Sequence, residues 1–496
     1  MRRLILLALF WAPPVAVRAQ EPSPGEQLPV VKHVLPNGMT FLFLRRGVAP
    51  TVSFVTHFRA GGVDEWTGIS GTAHLFEHML FKGSQSIGTT NYAAEQALFP
   101  VIDAVADSFT AEFRKGGATD SARLEALRDR LKQLEDSART FVESNALDRI
   151  LTENGAQELN ASTANDLTNY YFALPSNRAK LWFVLESDRI RNPVLREFYS
   201  EREVVMEERR LRVETQPGGL LREEFLQAAF RAHPYGRPVV GVASEIQAVT
   251  RRAAQEYFKR FYGPNNAVVA IVGDVQTDRV RALLDKHFGD IASQPAPRAV
   301  VDPEPDQKGE KRLTHRMQAE LPAVMLGYKA VEFTHADYAA TEVIRGILSE
   351  GESSRLYESL IYDQQIATDV SAFFRPTLHA GLFVLYAQAK PGVETATLEA
   401  GIYKEIARLA AGDFTDREVQ KAKNQMRASV IRELKDNAGR ADRIAFYEVM
   451  SGDYKQMMSV LDRIDRVTRD DVARVARERF QADTRTVVTL IPEQPS

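Results

Sequence analysis

Ile246, Val249, Thr250 and Arg251 recur as Ile464, Val467, Thr468 and Arg469, an offset of 218 residues (464 less 246). Each set opens a helical pattern that runs into an apolar strand candidate, 267–272 in the first copy and 486–491 in the second. A helix and strand repeated at one spacing predict two like units within one chain. Between them, residues 293–312 hold Pro295, Pro297, Pro303 and Pro305 among Asp, Glu, Lys and Gln, the composition of a linker. The expected organisation is therefore a first domain over 20–292, a linker over 293–312 and a second over 313–496.

Further elements read locally. Pro36-Asn37-Gly38 is a turn signal ahead of a strand from Met39 to Leu44, and Thr51 to Phe58 is a second strand ended by Gly61-Gly62. Asn265-Asn266 turns the chain into 267–272, and helical patterns fall near 72–82, 178–190 and 196–215. Strands and helices that do not alternate strictly predict an α+β architecture, with helices on one face of each sheet. Residues 101–150 stand apart as a helical insertion. Leu124, Leu127, Leu131, Leu134, Ala138 and Phe141 make a coiled-coil-like seam on a charged helix, expected to fold back on the domain or a neighbour.

Composition narrows the chemistry. A net charge of -3 provides no field to recruit nucleic acid. With no cysteine, disulfides, thiolate nucleophiles and cysteine-bound metals are excluded, so a metal must rest on His, Asp or Glu. Met1-Arg2-Arg3, the apolar stretch Leu4 to Ala12 and Val17-Arg18-Ala19 have the layout of a signal peptide over 1–19. Export to a bacterial periplasm is the expectation, and no later run is long enough for a membrane span.

Two of the nine histidines, His74 and His78, stand four apart in Gly71-Thr72-Ala73-His74-Leu75-Phe76-Glu77-His78-Met79-Leu80. On a helix they project from one face, one turn apart, and can grip a tetrahedral zinc at roughly 2.0–2.1 Å each. Glu77 reaches the same face, where a carboxylate can take a proton from zinc-bound water. The bland alternative is two surface histidines beside an acid. A third ligand decides between these readings, and the other histidines are isolated. The stretch Glu201-Arg202-Glu203-Val204-Val205-Met206-Glu207-Glu208-Arg209 is a better source. If it is helical, Glu201 and Glu208 share the face that carries Val204 and Val205, where carboxylates are costly unless paired or metal-bound. Glu203 and Glu207 point elsewhere and read as solvated. The alternative is a merely charged helix.

The HxxEH string is the inverted zincin motif. It stands with Gly61-Gly62-Val63-Asp64-Glu65, Leu159-Asn160-Ala161-Ser162-Thr163, Thr168-Asn169-Tyr170-Tyr171, the 201–208 helix, Asn265-Asn266 and Val272-Gly273-Asp274. Together, over about residues 30–495, these resemble the pitrilysin / insulysin / mitochondrial processing peptidase family of zinc metallopeptidases. The resemblance implies one zinc ion per chain held by His74, His78 and Glu208, with Glu77 as general base and Glu201 as a supporting carboxylate of the catalytic site. It implies that Asn160 and Ala161 lie on an edge strand to which a peptide substrate adds, a mode giving sequence-tolerant affinity. It also implies two homologous α+β domains, each an antiparallel-rich sheet, forming half of a clamshell. The ligand types alone also suit manganese or cobalt.

Two departures from the family pattern matter. The gap of 130 residues (208 less 78) between His78 and Glu208 is long, and the 101–150 insertion accounts for it. Where the family carries an arginine and a tyrosine that touch substrate, this chain has Ile361 and Thr368. The second half reads Glu342-Val343-Ile344-Arg345-Gly346 in place of a zinc motif. The expectation is a zinc endopeptidase subunit acting on peptides or unfolded segments, completed by a homologous partner in a heterodimer, or by a second copy. The alternative is a non-catalytic assembly subunit of the same family.

Overall fold

The computed structural model describes residues 28–295 and 303–493. The expected leader lies outside the described residues, as do 296–302 within the expected linker.

The first half contains strands β1 (Val31–Val34), β2 (Thr40–Arg45), β3 (Thr51–Phe58), β4 (Gln157–Thr163), β5 (Thr168–Pro175) and β6 (Ala267–Gly273). They form one sheet in the order β1-β2-β6-β3-β5-β4, antiparallel except for the β2–β6 pair. Its helices are α1 (Thr72–Met79), α2 (Tyr92–Phe113), α3 (Ser121–Arg139), α4 (Ala146–Glu153) and α5 (Lys180–Arg191). They continue with α6 (Phe198–Arg209), α7 (Pro217–Ala229), α8 (Ala243–Ala248), α9 (Arg251–Phe261) and α10 (Thr277–Phe288).

The second half repeats this plan. Strands β7 (Lys311–Met317), β8 (Ala323–Lys329), β9 (Ala367–Phe374), β10 (Leu382–Ala389) and β11 (Arg485–Pro492) pair in the order β7-β11-β8-β10-β9, with β7 and β11 parallel. Helix α11 (Tyr338–Ser349) follows β8 as α1 follows β3, and α12 (Thr395–Ala410), α13 (Asp416–Glu433), α14 (Asn437–Ser451), α15 (Val460–Arg466) and α16 (Arg469–Arg479) follow β10 as α5 to α9 follow β5. The echo in sequence has a local cause. Thr250 caps α9 by accepting from Ala253 N–H, and Thr468 caps α16 by accepting from Asp471 N–H. Strand β7 begins at Lys311, inside the stretch expected as linker, because it pairs with β11 from Thr486 onward.

Each sheet carries its own helices on one face. The opposite face is covered by a helix from the other half. Helix α14 lays Ala441, Ile444 and Ala445 on Leu42, Val55, Val268 and Ala270 of the first sheet. Helix α7 lays Leu221, Phe225 and Ala229 on Met325, Val488 and Leu490 of the second. Strand β6, Ala-Val-Val-Ala-Ile-Val-Gly, is consequently buried along its whole length, the continuous apolar reading of a strand covered on both faces.

The insertion is a helical hairpin, not one seam helix. Helix α2 starts at Tyr92, Gly116-Gly117 interrupt the helical run, and α3 returns with Leu131, Leu134 and Ala138 buried. Leu124, Leu127 and Phe141 are half-buried. Among the described residues no helix is long and apolar enough to cross a membrane.

Candidate metal centre

Helix α1 is set by its apolar residues and by what caps it. Leu75, Phe76 and Met79 are buried, with Phe76 stacked on Phe258 at 5.6 Å between ring centroids. The N-cap Gly71 sits at φ 87°, and a Cβ there would lie 2.7 Å from the Val240 carbonyl oxygen, so only glycine fits. The amides of Gly71 and Ala73 donate to the Glu65 carboxylate at 2.9 and 2.7 Å. Burial pushes the Glu65 carboxyl up to about 8, against the pull of those amides and of Arg237.

On the other face of α1, His74 and His78 stand with ring centroids 5.0 Å apart. Helix α6 brings Glu208 to them. One Glu208 oxygen is 3.5 Å from His74 Nε2 and the other is 3.5 Å from His78 Nε2. Ligand atoms of the three residues all lie within 4.8 Å of one another. Four ligands about 2.0–2.1 Å from one tetrahedral ion stand roughly 3.4 Å apart, so the donor set fits zinc in spacing as well as in chemistry. Arg212, in the π-helical turn Arg210–Glu214 that continues α6, forms an ion pair with Glu208.

Glu201, two turns before Glu208, lies 3.4 Å from His78 Nδ1. Lys82 pairs with Glu201 at 2.5 Å and with Glu197 at 3.2 Å. Burial works against charge on His78, but the hydrogen bond and charge of Glu201 outweigh it and hold the imidazole above its ordinary pKa. His74 lies below its ordinary value because burial outweighs the attraction of Glu208. Glu201 itself is held below the usual carboxylate range, its burial overcome by His78 and Lys82.

Glu77 accepts a hydrogen bond from Thr163 Oγ1 at 2.7 Å. That contact joins α1 to β4, the outer strand of the sheet, on which Asn160 pairs with Tyr171 and Ala161 with Tyr170. Among the described residues the outward edge of β4 carries no partner strand, and the Asn160 side-chain oxygen occupies the Ala161 N–H at 2.8 Å. A bulge between Gln157 and Asn160 places Glu158 at φ 57°.

All seven residues singled out in the sequence thus fall on two helices and one edge strand that meet at α1. The burial of that helix face is a correction. The apolar face expected around Glu201 and Glu208 is only partly buried, for Val205 is fully buried but Val204 is 49% exposed. The carboxylates occupy a half-buried stripe turned toward α1, and Glu203 and Glu207 are exposed as expected. Thr163 and Lys82 were not read from the sequence, because their roles come from contacts between separate elements. Ile361 lies half-buried in the π-helical segment Tyr357–Asp363, and Thr368 is exposed on β9, hydrogen-bonded to Gln388 at 3.0 Å. Residues 342–346 fall in α11, the counterpart of α1. There a Cβ on Gly346 would lie 3.0 Å from the Ala422 methyl of α13, and Glu342 pairs with Arg345 at 2.9 Å. Close packing and an internal ion pair take the place of a ligand set.

Residues 137–242 match the family described as Insulinase (Peptidase family M16), and residues 248–426 match Peptidase M16 inactive domain. The zinc protease PqqE of Helicobacter pylori is 28% identical over 386 residues, 77% of this chain and 86% of that protein. A probable mitochondrial-processing peptidase subunit beta of Schizosaccharomyces pombe is 23% identical over 464 residues, 90% of this chain and 87% of that one. The crystal structure of a protease from Helicobacter pylori shares the fold with a TM-score of 0.79 and 24% identity, over 94% of this chain and 100% of that one. The two matched segments take in α6, β6 and the second half as far as α13, relatives matched over most of their length are named zinc proteases, and the neighbouring structure shares the fold of both halves: the chain belongs to the M16, or insulinase, family of peptidases.

Proposed function

We propose that this chain is a zinc-dependent endopeptidase subunit that hydrolyses peptides or unfolded polypeptide segments. The observation that carries the reading is the spacing of His74 Nε2 and His78 Nε2, each 3.5 Å from a different oxygen of one Glu208 carboxylate. Those three side chains would hold the ion. Once bound, it supplies Lewis acidity that lowers the pKa of a water and polarises the scissile carbonyl. Glu77 takes the proton of the attacking water and returns it to the leaving amine. The hydroxyl of Thr163 occupies one Glu77 oxygen, which leaves the other to face the water. Glu201 accepts from His78 Nδ1 and so turns Nε2 toward the ion, the usual support for a metal-binding imidazole. A substrate backbone adds to the open edge of β4 at Asn160 and Ala161, where the Asn160 side chain must swing off the Ala161 N–H.

The absence of an arginine and tyrosine at Ile361 and Thr368 supports a homologous partner that supplies them. The match to an inactive domain falls largely on the second half, where α11 and α13 are packed shut. It therefore bears less on the first half, whose His74, Glu77, His78 and Glu208 a purely structural subunit would not need. The leader-like first residues support export to the periplasm. Metal analysis of the purified chain, with peptide hydrolysis assayed with and without a homologous partner chain, tests the reading. Stoichiometric zinc and zinc-dependent cleavage are expected. A protein that binds no zinc, or cleaves no peptide in either state, leaves the assembly role in its place.

A further inference from the structure

Glu197 begins α6 at φ 54°, a left-handed backbone that persists in a residue with a Cβ only where surrounding structure enforces it. It stands at the N-cap position, yet its side chain makes no capping bond. The carboxylate lies instead between two cations. Lys82, just after α1, pairs with one oxygen at 3.2 Å, and Arg139 of α3 donates to the other at 3.1 Å. Arg139 belongs to the inserted hairpin, so the insertion is tied to the helix that carries Glu201 and Glu208.

The hairpin also supplies the cap that Glu197 does not. The first amides of a helix have no partner within it and favour a negative charge beside them. Glu135 of α3 accepts from Tyr199 N–H at 3.0 Å and from Ser200 Oγ at 3.1 Å, one bond to each carboxylate oxygen. Arg139 donates to the same Ser200 Oγ at 2.9 Å. Leu131, Leu134 and Ala138 of α3 share an apolar core with Phe198 and Tyr199 of α6. The cavity left along this seam is about 20 Å³, room for about one water molecule. Packing that close ties the position of α6 to that of α3.

Charge alternates in sign from the hairpin to the metal ligand. Arg139 faces Glu197, Glu197 faces Lys82, Lys82 pairs with Glu201 Oε1 at 2.5 Å, and Glu201 Oε2 stands 3.4 Å from His78 Nδ1. Arg139 is half exposed, but the side chains of Glu197 and Glu201 are 14% and 15% exposed, and partly buried pairs are screened much less than surface ones. With Lys82 on Oε1, the other oxygen of Glu201 is aimed at the imidazole. Without Arg139, Glu197 has Lys82 alone to satisfy it, and the hold of Lys82 on Glu201 loosens.

We propose that the inserted hairpin braces the metal centre. Arg139 is its positioning residue, acting through Glu197, Lys82 and Glu201 on the ring of His78. This inference rests on the metal-site reading above and goes beyond it by giving the insertion a role.

The test is the zinc affinity of the full chain in competition with a chromogenic chelator, read beside the denaturation midpoint of the zinc-free protein. Arg139→Gln is expected to weaken zinc by about three- to tenfold, less than the roughly ten- to hundredfold of a carboxylate that touches the ligand itself. The midpoint should stay close to wild type, because a half-exposed ion pair contributes little to global stability. Arg139→Lys, which keeps the charge, should recover part of the affinity. In the Glu201→Ala background Arg139→Gln should change zinc affinity by less than about twofold, since residues acting through one chain of contacts are not additive. Wild-type affinity in Arg139→Gln, or an equal loss with Glu201 present and absent, overturns the brace. A wild-type chain that binds no zinc overturns instead the metal-site reading on which it rests.

Discussion

His78 Nδ1 lies 3.4 Å from Glu201 while Nε2 of the same ring lies 3.5 Å from Glu208. One carboxylate of α6 orients the imidazole and another, two turns on, shares its ligand face. Supporting carboxylates of this kind are typically worth about ten- to a hundredfold in metal affinity. Glu201→Ala is expected to weaken zinc by that factor in competition with a chromogenic chelator. Glu201→Gln should lose less, since its carbonyl still accepts from Nδ1. Unchanged affinity in the alanine variant would remove Glu201 from the metal centre.

Glu77 touches the site without belonging to the ligand set. Glu77→Gln should retain stoichiometric zinc while kcat falls by about 10² to 10⁴, the usual contribution of a positioned acid–base group. Undiminished kcat at full metal content would refute the role.

Arg196 and Glu95, each 1% exposed, form a buried pair with Arg196 Nε 3.0 Å from Glu95 Oε1. The guanidinium also holds the loop after α1 by three carbonyls, with Gly88 at φ +86° giving it room. Arg196→Met leaves Glu95 charged and alone in the interior, a loss of about 3–5 kcal/mol. Chemical denaturation measures it, and adding Glu95→Leu should restore part of the stability. A loss below about 1 kcal/mol would show that the pair is solvated.

Phe225 of α7 joins the halves, its ring tip only 2.7 Å from where a Cβ on Gly327 would lie. Phe225→Ala should cost about 3–5 kcal/mol in unfolding free energy. Two separated unfolding transitions, one per half, are the expected form of that loss. Wild-type stability in the variant would mean that α7 does not hold the second sheet.

The turn at 231–233 donates three backbone N–H groups to Glu304 at 2.9 to 3.1 Å. Those amides and Lys329 outweigh burial and hold the Glu304 carboxyl at about 2, below the ordinary 4.5. Beside it, burial first, then the charges of His379 and Lys329, lower His233 to about 4 from 6.5. Both folded values are depressed, so the unfolded chain binds the extra proton in each window. The His233 contribution is present above pH 6.5 and lost as the pH falls to about 4; that of Glu304 is present above 4.5 and lost toward 2. Denaturation midpoints followed against pH should show a flatter limb between 4.5 and 2 for Glu304→Gln, and between 6.5 and 4 for His233→Phe. Limbs identical to wild type would sink the assignment.

Much of the candidate site is legible in the sequence, because the spacing along each helix is local. A spacing of four from His74 to His78 puts both rings on one side of α1, and a spacing of seven from Glu201 to Glu208 puts both carboxylates on one side of α6. The duplication was legible for a similar reason, since Thr250 and Thr468 carry the same cap into the same strand. An apolar residue on a helix reads as core-facing, yet Val204 is half exposed, because burial depends on which element packs there.

Periodicity along the chain decides which side of a helix a residue occupies, and so it determined the ligand candidates, the paired α+β units and the hairpin's helical character. It carries no information about which helix a given side meets. That Thr163 reaches Glu77, that Lys82 bridges Glu197 and Glu201, that Arg139 reaches Glu197, and that α7 and α14 cross to cover each other's sheets were decided only by the packed fold. The reason is that apolar burial is non-directional: it demands that every exposed face of a sheet be covered, and only the closed three-dimensional arrangement settles by what.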